Sequence, residues 1–178
     1  ARRMGLIRAK SVYVVMDGGT YLWKIFEDRF ADIAEGTLDY YHATEHLAAL
    51  AEALFPDDEP LRREWLSERC SKLKRYGAKT LLELLAARDG DGCWDDEVAR
   101  RETQYFMKHA QHMDYLRQRK LGRPIGSGSV ELLCSQLQNR FKQCGQFWSA
   151  VGLEAFLKVY VWYVNGELRY CFEQARGA

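Results

Sequence analysis

The sequence predicts an α/β fold that is mostly helical overall. A short apolar and β-branched segment, 11–16, precedes a segment with helical spacing of its apolar residues, and a second short strand is expected over residues 35–40, after a turn at Gly36. That order indicates a strand, a helix and a second strand. From His42 onward the apolar residues recur at helical spacing. We therefore expect a βαβ element followed by a long helical stretch.

The first strand and its helix carry the clearest local signals. Residues 11–16 read SVYVVM and end at Asp17, before two glycines, which is typical of a buried strand followed by a turn. Thr20 is expected to cap the next helix. That helix has large apolar side chains at helical spacing, namely Leu22, Trp23, Phe26 and Phe30.

The helical stretch divides at recognisable start and stop signals. Helices are expected over residues 42–54, from Pro60 to near residue 77, and over 95–112. Thr80 and Glu83 have the spacing of a capping box that opens a further helix.

Beyond these helices, residues 117–128 are basic and rich in Gly and Pro, and are expected to form a loop. The next helix places Glu131 and Lys142 on one polar face. Ser149 is expected to cap the last helix.

Composition excludes several classes of protein. The chain has 178 residues, 47% of them hydrophobic and 13% aromatic, which suits a packed domain with a helical insert. It contains no run of about 18 apolar residues, so no membrane span is expected, and its first residues lack the apolar run of a signal peptide. Five cysteines without a CxxC pair favour reduced thiols and a cytoplasmic location.

Charge is segregated along the chain although the formal net charge is only +1. Residues 27–60 hold ten acids against the single base Arg29, whereas residues 117–142 hold six bases against the single acid Glu131. The basic segment predicts either a phosphate-binding face or an ordinary solvated surface.

Two histidines on a predicted helix raise a metal hypothesis. His42, Glu45 and His46 match the pattern HxxEH, in which histidines at i and i+4 can hold zinc. A zinc hydrolase of this kind needs a further carboxylate ligand downstream. The candidates are Glu83, Glu97 and Glu102.

Four segments together resemble one family. VVMDGGTYLW, LDYYHATEHL, RPIGSGSVE and NRFKQCGQFWS resemble bacterial insertion-sequence transposases of the DDE class, which are relatives of the Mutator-like transposases. The resemblance extends over about residues 5–160. It rests on a D-x-x-H motif, a GSGxxE motif and a downstream R-x-K-x-x-G-x-x-W motif.

The resemblance implies part of an RNase H-like fold with a large all-helical insertion. Residues 1–55 would form the second half of the core, 56–116 the insertion, and 117–178 the basic loop, the catalytic-glutamate helix and the C-terminal helix.

The resemblance also assigns site residues. Asp17 would be the second catalytic aspartate and Glu131 the catalytic glutamate, and both would bind metal. Asp39 and His42 would form the D-x-x-H motif that positions the active site or the DNA.

The implied chemistry is metal-dependent DNA strand cleavage and transfer at transposon ends. Carboxylate oxygens suit Mg²⁺ or Mn²⁺. Arg123, Arg140 and Lys142 would contact phosphates, and Trp148 would contact DNA by stacking. The implied partners are transposon-end and target DNA, with a homo-oligomer in the active complex, in the bacterial cytoplasm at the nucleoid and without a membrane.

One feature departs from the family pattern. The family's first catalytic aspartate lies on an earlier strand, and no strand-like segment precedes Ser11. We therefore expect a truncated protein that lacks this aspartate, which leaves open whether it is an active enzyme. A catalytically inactive DNA-binding remnant is the first alternative, the zinc hydrolase built on His42 and His46 the second, and a plain helical interaction domain the third.

Overall fold

A computed structural model describes residues 6–89, 96–143, 145–169 and 172–173. The chain consists of two compact units, Ala1–Ser127 and Gly128–Ala178. The described residues are mostly helical and include a two-stranded parallel sheet. The predicted mostly helical α/β class is confirmed at this level.

The sheet is formed by the predicted βαβ element. Strand β1 (Tyr13–Met16) and strand β2 (Glu35–Leu38) pair in parallel, with Tyr13 opposite Glu35 and Met16 opposite Leu38. Helix α1 (Thr20–Arg29) connects them. Its Trp23 and Phe26 are buried, and Gly36 of β2 leaves space for both rings.

The described residues of the first unit form five further α-helices. Their bounds are α2 Tyr40–Leu54, α3 Glu59–Tyr76, α4 Lys79–Asp89, α5 Glu97–His109 and α6 Tyr115–Lys120. Helix α2 packs against both α3 and α5. Its Leu47 and Leu50 are fully buried, as are Phe106 of α5 and Tyr115 of α6. The core of the unit therefore lies around α2.

Three local predictions in this unit are wrong. Helix α1 is capped by Gly19 without a side-chain hydrogen bond, so Thr20 is already its first residue. Helix α4 begins at Lys79, and the buried hydroxyl of Thr80 has no hydrogen-bond partner in the described part of the chain. The predicted loop over residues 117–128 begins as helix α6, because Asp114 caps it by accepting from the Arg117 N–H.

The second unit contains helix α7 (Gly128–Phe141) and helix α8 (Ala150–Val164). The predicted Ser149 cap is confirmed, since its hydroxyl accepts from the Gly152 N–H at 3.1 Å. Trp148 packs against Phe141 and Phe156. No described residue of this unit is buried.

Two broader expectations concern the division of the chain into parts and membrane-spanning helices. The three-part division at residues 55 and 116 stays a prediction. In the described ranges, no helix is both long enough and apolar enough to cross a membrane.

Candidate functional site

Asp17 directly follows β1, at the carboxyl edge of the parallel sheet. Its Oδ1 accepts a hydrogen bond from the Gly19 N–H at 2.8 Å, and its backbone carbonyl accepts one from the Trp23 indole N–H at 2.8 Å. The other carboxylate oxygen, Oδ2, has no hydrogen-bond partner among the described residues. The turn thus fixes the carboxylate and leaves one of its oxygens for a ligand.

Tyr105 of α5 packs directly on the turn that follows Asp17. A Cβ at position 18 would lie 2.6 Å from the phenol oxygen of Tyr105 and 2.8 Å from its Cζ, so the close approach requires glycine at position 18. Burial, and then the charges of Asp17 and neighbouring carboxylates, raise the pKa of Tyr105. The phenol therefore stays protonated at neutral pH.

Asp39 directly follows β2, and the register of the sheet places it at the same edge as Asp17. Its Oδ1 caps α2 by accepting from the N–H groups of Tyr41 at 2.7 Å and His42 at 3.4 Å. Its Oδ2 accepts from both the backbone N–H, at 2.7 Å, and the hydroxyl of Ser127. Both oxygens are thus bonded to protein groups.

The electrostatics of Asp39 fit a structural anchor. The side chain is 1% exposed, and burial alone would raise the pKa of its carboxyl. The hydrogen bonds from Ser127, Tyr41 and His42 outweigh burial and hold the pKa of Asp39 below its ordinary value. Asp39 therefore stays ionised and holds Ser127, the residue directly before α7.

The segment before α7 is held along the same edge at further points. The Tyr40 N–H donates to the Ile125 carbonyl at 2.8 Å, and the Tyr13 hydroxyl donates to the Pro124 carbonyl at 2.9 Å. A Cβ at Gly126 would lie 2.6 Å from Cδ2 of Tyr41. The Gly-Ser sequence thus allows the segment to pass closely beneath the first turn of α2.

Arg123, a predicted phosphate contact, is bound within the first unit. Its guanidinium donates to Glu35 at 2.6 Å and lies 5.1 Å from the ring centroid of Tyr13. Arg117 and Gln118 donate to the same carboxylate. Burial would raise the pKa of Glu35, but these donors together hold it below its ordinary value. Arg123 thus fastens the basic segment to β2, and its contact with DNA stays a prediction.

The HxxEH motif lies on α2, as predicted. Nδ1 of His42 lies 3.0 Å from Oε2 of Glu45, and Nδ1 of His46 lies 2.5 Å from Oε2 of Glu102. Glu102 is 2% exposed and accepts two further hydrogen bonds from Arg101 on its other oxygen. Glu102 therefore orients His46 through Nδ1.

His46 also links this pair to the turn after Asp17. Its ring stacks on Tyr105 with the ring centroids 3.5 Å apart and the planes inclined by 22°. Since Tyr105 packs on Gly18, Glu102, His46 and Tyr105 form a continuous set of contacts that ends at the turn. Helices α2 and α5 thus support the position of Asp17.

The remaining predicted site residues lie in the second unit. Glu131 is in the first turn of α7 and is exposed. Arg140 lies with its guanidinium 6.0 Å from the ring centroid of Tyr160, and Lys142 is exposed. The Trp148 indole donates to the Phe141 carbonyl at 3.1 Å. Because Asp17 belongs to the first unit, a site shared by Asp17 and Glu131 stays a prediction.

The donor chemistry of the edge suits a hard divalent cation at Asp17 but not at Asp39. Asp17 has a carboxylate oxygen without a protein partner in the described ranges, whereas both oxygens of Asp39 accept from protein donors. Within the described residues, no group of three or more His, Cys, Asp or Glu side chains is placed to hold a metal ion.

Two contacts at this edge cannot be found from local sequence patterns. Ser127 lies in the GSGxxE motif, but it and Tyr105 contact partners that lie 88 and 87 residues away. Glu102, a candidate zinc ligand from the sequence, falls in the stripe of α5 that also contains the buried Ala99, Phe106 and His109, so a charged residue there requires a partner.

Comparisons of the chain with protein-family models, with curated proteins and with solved structures yield no match. The family assignment therefore stays a prediction from the sequence motifs.

Proposed function

We propose that the chain is the C-terminal part of the catalytic domain of a DDE-type transposase that cleaves and joins DNA strands with a divalent metal ion. The observation that carries the proposal is the shared edge of β1 and β2. Asp17 follows one strand and Asp39 the other, and Asp39 binds Ser127, the residue before the helix that bears Glu131. The D-x-x-H motif and the start of the GSGxxE motif are thus bound to each other at the edge that follows Asp17.

The parallel pair also supports the finer fold proposal. A parallel pair with a helical crossover, and a long helical stretch before the glutamate helix, agrees with half of an RNase H-like core carrying an insertion. An acidic residue at the carboxyl end of a parallel strand is well placed to meet a ligand. Asp17 is the residue in that position.

The resemblance assigns metal binding to Asp17 and Glu131, and contacts in the structure support a positioning role for Asp39. Asp17 would bind Mg²⁺ or Mn²⁺ through its carboxylate, and Glu131 would supply a second carboxylate. When bound by these carboxylates, the ion would supply the activation of an attacking oxygen and the stabilisation of a leaving oxygen that phosphodiester cleavage needs. Asp39 acts as a positioning residue, because its oxygens hold the N-terminus of α2 and Ser127. His42 takes part through its backbone N–H.

A nicking assay tests the proposal. Supercoiled plasmid is incubated with Mn²⁺ and either the chain or the product of the complete reading frame that encodes it. We expect nicking that is lost in Asp17→Asn and in Glu131→Gln. Asp57→Asn, an exposed acidic residue in the loop before α3, is the matched control and should nick normally.

Each outcome of that assay is decisive. Nicking that is equal in Asp17→Asn and the unmodified chain would contradict the assignment of Asp17. DNA binding without nicking by the longer protein would instead identify an inactive DNA-binding remnant.

A zinc hydrolase is the second candidate, and one observation favours it. Nδ1 of both His42 and His46 lies against a carboxylate oxygen, which is the arrangement that orients histidines for metal binding through Nε2. Glu102 would then support His46 rather than bind zinc, since both its oxygens have protein partners. Stoichiometric zinc that is lost in His46→Ala would support this candidate, whereas purified protein without zinc would exclude it.

A further inference from the structure

Helix α5 presents two cations on either side of the tyrosine that covers the Asp17 turn. Arg101, Tyr105 and Lys108 are spaced by four and then three residues, so they lie along one stripe of the helix. Tyr105 packs on Gly18. Lys108 donates through Nζ to the hydroxyl of Thr20 at 3.3 Å. Tyr105 and Lys108 thus follow the chain from Gly18 to Thr20.

Lys108 lies beside the Asp17 turn without an acidic partner among the described residues. Its contact with Thr20 is a hydrogen bond to a neutral hydroxyl, and no carboxylate lies within ion-pair distance of it among the described residues. Its charge is therefore available to an anion beside the turn.

Arg101 is the second cation of the stripe. Its side chain is 69% exposed while two of its guanidinium nitrogens donate to the buried Glu102. Glu102 also binds His46, so the arginine is held in place at one side and exposed at the other. Arg101 is thus fixed in position by Glu102 while part of its side chain still faces solvent.

The charges around Tyr105 explain why such cations would be needed. Its surroundings include the carboxylates of Asp17, Glu102, Asp39 and Glu45, and an acidic site repels a polyanion unless positive charge flanks it. Phosphate oxygens of a DNA strand are anions that Lys and Arg bind without regard to base sequence.

We infer that Lys108 and Arg101 form a DNA-backbone contact on α5, which holds phosphates of the strand that reaches Asp17. The inference rests on the proposed function and extends it, because none of the basic residues implicated by sequence motifs lies on this helix. A purely local role is the competing explanation, since a lysine in the last turn of a helix stabilises the helix dipole.

The test is the salt dependence of DNA binding by the full chain. Binding of a fluorescent DNA duplex is followed by anisotropy in EDTA at several salt concentrations, so that cleavage does not enter. Removing one phosphate contact lowers the slope of log K against log salt by about 0.9. We expect this decrease, with several-fold weaker binding, for Lys108→Gln, and a decrease of about 1.8 for Arg101→Gln/Lys108→Gln.

Two further variants separate a DNA contact from a structural role. Lys108→Arg keeps the charge and should keep the slope. Lys79→Gln removes an exposed lysine of α4 that lies 4.0 Å from Glu83 and should leave the slope unchanged. Thermal unfolding of each variant establishes that the protein is folded.

The outcomes distinguish this inference from the proposed function. If the unmodified chain binds DNA and Lys108→Gln has the same affinity and slope as Lys79→Gln, the inference is overturned while the proposed function stands. If the unmodified chain does not bind DNA at any salt concentration, both are contradicted.

Discussion

The two units of the chain use their polar residues in different ways. In the first unit, Asp39 and Arg123 are bound to other protein groups that lie far away in the sequence. In the second, Glu131 and Lys142 are exposed on or beside one helix, and no described residue is buried. Conspicuous polar residues of the first unit are therefore tied to distant parts of the chain, whereas Glu131 and Lys142 lie at the surface of the second unit.

The largest expected effect tests the difference in burial directly. Phe106 is fully buried in the first unit, whereas Phe147 of the second is 96% exposed. Phe106→Ala should lower the free energy of unfolding by about 3–5 kcal/mol, and Phe147→Ala by less than about 0.5 kcal/mol. Urea unfolding measures both. Similar losses for the two variants would contradict this difference in burial between the two units.

The next largest loss of unfolding free energy is expected when Asp39 is replaced. Asp39→Ala removes a helix cap and leaves the N–H and hydroxyl of Ser127 without their acceptor, so we expect a loss of about 3 kcal/mol. Asp58→Ala is the matched control, because Asp58 only caps α3 through the Leu61 N–H. The control should lose about 1 kcal/mol. Equal losses would show that the contact with Ser127 contributes nothing.

Acid should destabilise the first unit through His109. The side chain is 2% exposed, and burial, followed by the charges of Lys108, His112 and His46, lowers its pKa from 6.5 to about 4. Below pH 6.5 the unfolded chain therefore takes up a proton that the folded chain refuses. Stability is thus fully present above this pH and is lost as the pH falls toward about 4.

This pH dependence can be measured with one variant. From pH 7 to 5 the unfolding free energy should fall by about 2 kcal/mol through His109. His109→Phe keeps a ring and removes the titrating group, so its urea midpoint should change less over the same range. An unchanged dependence on pH in the variant would mean that His109 does not titrate as its burial requires.

A smaller loss of stability is expected from a substitution in the turn that follows Asp17. A Cβ at position 18 would overlap Tyr105, so Gly18→Ala should cost about 1.5 kcal/mol. Gly128→Ala is the control, because no atom lies within 4 Å of a Cβ there. In a Tyr105→Ala background, Gly18→Ala should cost much less. Additive losses in the double variant would show that Tyr105 does not constrain the turn.

The sequence predicts the strands and helices around this site better than the side-chain contacts between them. The apolar run before Asp17 predicts β1, and the spacing of Leu47 and Leu50 predicts α2, because both patterns are local. The acceptor of Arg123 is Glu35, 88 residues earlier, and no local pattern reveals it. From the sequence alone, the basic residues of 117–120 are expected in a loop. In the structure they belong to a capped helix, and Arg117 donates to Glu35 of β2.

The first residues of the helices show that local patterns do not always predict where a helix begins. Ser149 and Thr80 have equally favourable local sequences, yet only Ser149 caps a helix. Helix α4 starts one residue before Thr80, because the chain turns at Gly77, whose φ is +68° and whose Cβ position would meet the Met113 carbonyl. The tertiary contact at Gly77, rather than the capping box, sets the start of α4.

The proposal from the sequence resemblance that Asp17 and Glu131 bind one divalent ion can be tested by a double-mutant cycle in Mn²⁺ affinity. Electron paramagnetic resonance would measure Mn²⁺ binding by the chain, by Asp17→Asn, by Glu131→Gln and by the double variant. We predict that each single variant loses nearly as much affinity as the double, with a coupling above about 1 kcal/mol. Strictly additive losses, or Mn²⁺ binding that neither substitution affects, would contradict the claim.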